Sequence, residues 1–171
     1  MRTGQNFGLL YCLLLICQVL LCNYFQFTPF AMLALLPAMI LCVPLTTGTI
    51  GCMFIAFGSG MAVDMLAEGI IGLNTSALVP VAILRKPLIR MLFGEDLIIR
   101  KDSFSIRKYG MAKVSAAIMA ALIVFLTIYI FLDGAGTKPL WFNLTRGGIS
   151  FICSYLVSLI VVNTLTPDDR K

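Results

Sequence analysis

The chain contains no histidine in its 171 residues. That absence removes the commonest general base and the commonest protein ligand for metals. Charge is scarce as well: Asp, Glu, Lys and Arg together make 12% of the residues, against 60% hydrophobic, and mean hydropathy is +0.98. Soluble domains are typically about 45–50% apolar and about 25% charged. A soluble fold this small buries only about 70% of its surface and has nowhere to hide so much apolar area. The surroundings that resolve the imbalance are lipid. The length allows one membrane domain, residues 1–171, and little else.

Reactive motifs are also missing. There is no G-x-x-x-x-G-K-[ST] phosphate loop, no H-E-x-x-H and no G-x-S-x-G elbow. Asp133-Gly134 matches the start of the CDP-alcohol phosphotransferase signature, but the aspartates that should follow are missing. Nothing suggests an enzyme, and no cofactor or metal is expected. The six cysteines, Cys12, Cys17, Cys22, Cys42, Cys52 and Cys153, lie inside apolar runs and form no C-x-x-C pair. They read as small buried hydrophobes rather than a disulfide framework.

What is present is a series of apolar runs. A span needs about 20 mostly apolar residues to cross a hydrocarbon core of about 30 Å. Six candidates stand out: Phe7–Tyr24, Thr28–Val43, Thr49–Leu66, Leu73–Leu92, Met111–Leu132 and Trp141–Leu165. The expected fold is therefore an all-α integral membrane bundle of about six helices. The first run follows Arg2 but lacks the A-x-A pattern of a cleavage site, so it is expected to be a retained span. The second is short and contains Pro37, which predicts a kinked or partly re-entrant segment. The fourth carries Pro80 and Pro87 together with Arg85, Lys86 and Arg90. Between the fourth and fifth runs, Gly94–Gly110 is polar, with basic residues interleaved with Phe104, Ile106 and Tyr109. It reads either as a solvated loop or as a segment lying on anionic lipid headgroups.

Basic residues set the expected orientation. With a cytoplasmic N-terminus and six spans, eleven of the thirteen Lys and Arg residues fall on the cytoplasmic side, leaving only Lys138 and Arg146 outside. The net charge of +5 then needs no nucleic acid. Both termini are expected in the cytoplasm.

An ionisable side chain within a span costs at least about 2.5–3.5 kcal/mol at the bilayer centre, so each one marks a candidate site. Asp64 leads. It stands near the outer end of the third run, in Gly58-Ser59-Gly60-Met61-Ala62-Val63-Asp64. It either organises a polar contact inside the bundle or faces water at the interface. Arg146 begins the sixth run at the same depth and is its expected partner. Arg85 lies deeper, between two prolines: it either snorkels to the headgroups or is aimed into the bundle by a broken helix, whereas Lys86 and Arg90 are placed to snorkel. Gly51, Gly58 and Ala62 share a stripe, with Gly60 beside it, and small residues at such spacing allow close helix contact.

The stretch AFGSGMAVDMLAEGIIGLNTSALVPVAILRKPLIRMLF resembles the core of the rod shape-determining protein MreD family, in a form like that of Bacteroidetes. That family has a glycine-containing third span ending in an aspartate, then a glycine-containing outer turn and a small or polar start to the fourth span. The matching positions are Gly58, Gly60, Asp64, Gly69, Gly72 and Asn74. Many relatives carry a histidine after the turn glycine, near the position of Asn74 here. The resemblance implies a bacterial inner-membrane component of the cell-elongation machinery. It would pair with an MreC-like single-span scaffold and support a RodA-type glycosyltransferase and its penicillin-binding transpeptidase, in contact with membrane lipid and with no nucleic acid. It also implies a fold like the substrate-binding subunits of energy-coupling-factor transporters, and no catalytic residue. The alternative is a small-solute, vitamin-type binding subunit of a membrane transporter. Only Asn74, Thr75, Trp141 and Asn143 offer themselves as a polar site near the outer face.

Overall fold

The computed structural model describes residues 4–24, 32–94, 110–134 and 140–165. All regular structure among them is helical: α1 (Gly4–Tyr24), α2 (Leu36–Cys42), α3 (Thr49–Val63), α4 (Leu73–Phe93), α5 (Met111–Gly134) and α6 (Leu140–Leu165), with a π-helical turn, Asp64–Glu68, continuing α3. Four stretches are long and apolar enough to cross a membrane: Phe7–Tyr24, Thr49–Glu68, Met111–Gly134 and Trp141–Leu165. Helix α4, at 21 residues, is about 32 Å long, and it carries Arg85, Lys86 and Arg90.

Each long helix separates two kinds of apolar surface. On α5, Val114, Ala117, Ile118, Ala121, Leu122, Phe125, Leu126 and Tyr129 are buried, an i, i+3, i+4, i+7 stripe facing the bundle. Met119, Ile123 and Phe131 on the same helix face outward. On α1 the outward face is Leu9, Leu13, Ile16 and Leu20, while Tyr11 and Gln18 point in. Large apolar side chains thus line the outside of the bundle as well as its core. Such a surface is stable only where the surroundings are apolar too.

The centre of the bundle is α2, which touches all five other helices. Every residue from Ala34 to Val43 is buried. The second apolar run is thus not a full helix. Among its described residues the regular part is seven residues, with Pro37 in the first turn, where a missing N–H costs nothing. Met32–Leu35 runs in non-helical conformation ahead of it. The start of the expected span, residues 28–31, lies outside the described residues, as do residues 95–109 of the polar segment.

A buried non-helical backbone must find partners for its N–H and C=O groups. Here side chains of α1 and α6 provide them. Met32 N–H donates to Ser150 Oγ at 2.9 Å, and Ala34 N–H to Ser154 Oγ at 2.9 Å. Ser154 Oγ donates to the Met32 carbonyl at 3.2 Å. From the other side, Gln18 donates to the Leu33 carbonyl at 2.9 Å and accepts from Leu35 N–H at 2.8 Å. The spacing is commensurate: residues four apart on a helix rise about 6 Å, close to the advance of two extended residues. Serines at i and i+4 therefore meet alternate N–H groups.

The helix ends gather at two poles. The end of α1 reaches the π-turn through Asn23 Nδ2 and the Leu66 carbonyl, 3.4 Å apart. Tyr129, near the end of α5, reaches Glu68. Arg146, near the start of α6, reaches Asp133. At the opposite pole lie the end of α2 and the start of α3, held together by Arg85 of α4.

Candidate functional site

Two fully buried charges organise the bundle, and each is neutralised by a helix end rather than by an opposite charge. Asp64 is 0% exposed. Its Oδ1 accepts from Asn74 N–H at 2.8 Å and from the Asn74 side-chain amide at 3.0 Å. Its Oδ2 accepts from Gly72 N–H at 3.0 Å, Thr75 N–H at 3.1 Å and the Thr75 hydroxyl at 2.7 Å. Gly72, Asn74 and Thr75 form the N-terminus of α4, whose first amide groups lack intrahelical acceptors. Asp64 caps that helix from outside it. A carboxylate at the C-terminal end of its own helix is disfavoured by the local carbonyl dipoles; the N-terminus of α4 reverses that field.

The backbone between the two helices makes this closure possible. The π-turn closes with Gly69 N–H donating to the Asp64 carbonyl at 2.8 Å. Gly69 has φ +71° and Gly72 φ +100°, both in the left-handed region where a side chain is strained. These two glycines turn the chain back within a few residues. Gly60, one helical turn before Asp64, faces the same place: a Cβ there would stand 2.7 Å from Thr75 Cα and 2.9 Å from its N. Its lack of a side chain lets α3 and α4 touch backbone to backbone.

Gly58 differs. It is exposed, and a Cβ built there meets nothing within 4 Å. The expected stripe of small residues therefore does not act as a unit: Gly60 makes the close crossing, and Gly58 lies on the outer surface.

Arg85 is 2% exposed on a helix that runs unbroken through Pro80 and Pro87. Of the two alternatives, snorkelling or an inward aim, the side chain takes the inward one, and no break in α4 produces it. Its guanidinium donates to the Leu41 carbonyl at 3.4 Å, to the Val43 carbonyl, and to Cys52 Sγ at 3.7 Å. Leu41 and Val43 stand at the C-terminal end of α2, where carbonyls lack intrahelical donors and a cation is favoured. Lys86 is half-buried and Arg90 exposed.

The expected pairing of Asp64 with Arg146 is not observed. Arg146 forms its ion pair with Asp133, the two side chains being 16% and 17% exposed. The reason is geometric: all five contacts of Asp64 lie toward α4, while Arg146, near the start of α6, is held by the end of α5. The polar residues nominated for a solute site do not converge either. Asn74 and Thr75 are turned onto Asp64, and Trp141 is 67% exposed.

Five further residues take part that the apolar runs and isolated charges do not mark: Gln18, Ser150, Ser154, Glu68 and Tyr129, the Tyr129 O–H donating to Glu68 Oε1 at 3.0 Å. Ser150, Ser154 and Ser158 recur every fourth residue, a signal that was available in the sequence. All six cysteines are free thiols, and among the described residues no three carboxylates or thiols are grouped to hold a metal.

Comparison of the chain with family models, with curated proteins and with solved structures finds no match.

Proposed function

We propose that this chain is a non-catalytic component of the bacterial cell-elongation machinery in the inner membrane, acting by assembling other membrane proteins around it. The observation that carries this reading is how Asp64 is used. The residues that resemble the elongation family, Gly60, Asp64, Gly69, Gly72 and Asn74, build a closed clasp between α3 and α4. Every donor around Asp64 is spent on holding helices together, as befits a scaffold rather than a reactive or solute-binding centre. On this reading α1, the Met32–Val43 segment, α3, α4, α5 and α6 are six alternating passes. Both termini and the Gly94–Gly110 segment then lie in the cytoplasm, in line with the distribution of Lys and Arg. The same reading implies a layout similar to that of energy-coupling-factor substrate-binding subunits. The partners are an MreC-like single-span scaffold, a RodA-type glycosyltransferase with its penicillin-binding transpeptidase, and surrounding lipid.

The test is depletion combined with co-purification from native membranes. Loss of the protein should round the cells and leave vitamin uptake unchanged, and the scaffold and synthase pair should co-purify with it. Tight stoichiometric binding of a small solute, with cell shape unaffected by loss of the protein, would replace this reading with a transport one.

A further inference from the structure

At the pole where α3 ends, hydrogen-bond acceptors outnumber donors. Glu68 Oε1 receives the Tyr129 hydroxyl, but Glu68 Oε2 is buried with no partner. Asn74 is 0% exposed, and its Oδ1 is likewise buried with no partner. The Asn74 side chain lies beside the Glu68 carboxyl while its amide nitrogen is held by Asp64. Two orphaned acceptors thus sit in one neighbourhood, closed to solvent. A buried acceptor without a donor is costly, so each calls for an explanation.

We propose that Glu68 is a proton-binding site: its carboxyl carries a proton on Oε2 and donates it to Asn74 Oδ1. One proton then satisfies both orphaned atoms. Neither atom is open to solvent, and a proton on Oε2 completes both without a further molecule. Asp64 cannot take this role, because both its oxygens are already filled by five donors. The acidic groups around Glu68 point the same way: they are Asp64 on its own turn and Asp133 on α5. Tyr129 on α5 donates to Oε1 and so favours the carboxylate, and Cys22 on α1 is the remaining titratable neighbour. The nearby cation Arg146 on α6 is paired with Asp133. No cation among the described residues contacts Glu68, and a proton relieves its repulsion from Asp64. This inference is independent of the assembly role proposed above; it concerns only the protonation state of one carboxyl.

The test is infrared difference spectroscopy on the full-length protein in detergent or vesicles, comparing the parent with Glu68→Gln between pH 5 and pH 8. The parent should show the carbonyl stretch of a protonated carboxyl that moves in heavy water, and Glu68→Gln should lack it. Thermal unfolding gives a second readout. A proton bound only in the folded state stabilises at low pH and is lost as pH rises. The parent's midpoint should therefore fall by at least about 2–4 °C between pH 5 and pH 8. Glu68→Gln, whose amide N–H permanently replaces the acidic O–H, should lose that fall. If Glu68→Gln does not fold, Tyr129→Phe serves: it removes the donor to Oε1, and the protonated-carboxyl band should persist at a shifted frequency. A parent spectrum with no protonated carboxyl at pH 5–8, or one whose band is unmoved by both substitutions, would overturn the assignment.

Discussion

Thr75 gives Asp64 two hydrogen bonds, from its backbone N–H at 3.1 Å and from its hydroxyl at 2.7 Å, and the same residue is the one Gly60 packs against. Gly60 and Asp64 are one helical turn apart, so a single residue of α4 is gripped at two successive levels of α3. The glycine lets the helices come close enough for the carboxylate to reach three backbone N–H groups. The two features depend on each other.

Replacing Asp64 with Ala leaves five donors without this acceptor, four of them buried, each buried one costing about 1–3 kcal/mol where nothing else satisfies it. The expected loss is about 3 kcal/mol or more, seen as a lowered thermal midpoint and a smaller monodisperse fraction after purification. Asp64→Asn should be nearly as damaging despite its shape, because an amide turns one N–H₂ group against N–H donors. Wild-type stability in Asp64→Asn would show that the charge is dispensable.

Gly60 and Gly58 should respond oppositely to alanine. At Gly60 the new Cβ meets backbone, which cannot step aside, and overpacking of this kind costs about 1–3 kcal/mol. At Gly58 the Cβ enters open space, and removing glycine from a helix gains up to about 1 kcal/mol. Thermal midpoints of the two variants, measured in the same detergent, decide the matter. Equal effects would mean the α3–α4 crossing is not as close as described.

Some of this was legible in the sequence and some was not, for physical reasons. Apolar runs place α1, α4, α5 and α6 within a few residues, because a helix is the one open-chain structure that satisfies its own backbone in lipid. Asp64 and Arg85 were identifiable as charges too costly to leave exposed to hydrocarbon. Their partners were not. Asp64 is held largely by backbone N–H groups and Arg85 by backbone carbonyls, and those groups are the same in every residue. Charge-to-charge reasoning therefore matched Asp64 with Arg146, when each had a nearer solution. The shortness of α2 was hinted at by Pro37, but its non-helical approach depends on Gln18, Ser150 and Ser154, three residues distant in sequence.

Arg85→Met should cost about 1–3 kcal/mol, since it strips donors from the Leu41 and Val43 carbonyls while relieving the burial of a charge. The guanidinium also covers Cys52, which is 1% exposed. Cys52 should accordingly react faster with a membrane-permeant maleimide in Arg85→Met than in the parent. Unchanged labelling would mean that Arg85 does not seal this end of the bundle.

The serine ladder predicts a contrast along α6. Ser154→Ala removes the partner of Ala34 N–H and of the Met32 carbonyl, a cost of about 1–3 kcal/mol. Ser158, one rung further along, is 0% exposed with no partner for its hydroxyl. Ser158→Ala should be neutral or stabilising, because it deletes an unsatisfied group. If both substitutions destabilise equally, Ser158 has a partner, such as a bound water, and the ladder runs one rung further.

The ion pair at the junction of α5 and α6 is tested by a double-mutant cycle on Asp133 and Arg146. Both side chains are mostly buried, so their attraction is screened less than at an open surface. Asp133→Asn and Arg146→Gln should each lower the thermal midpoint, and the pair should show a coupling of about 0.5–3 kcal/mol. The control cycle is Asp64→Asn with Arg146→Gln. Asp64 spends all its contacts on α4, so this second pair should be additive within about 0.3–0.5 kcal/mol. Exchanging charges, Asp64→Arg with Arg146→Asp, should rescue nothing, because it places a cation against the N-terminus of α4. Strong coupling between Asp64 and Arg146, with none between Asp133 and Arg146, would require α6 to sit rotated from the orientation that brings Arg146 to α5.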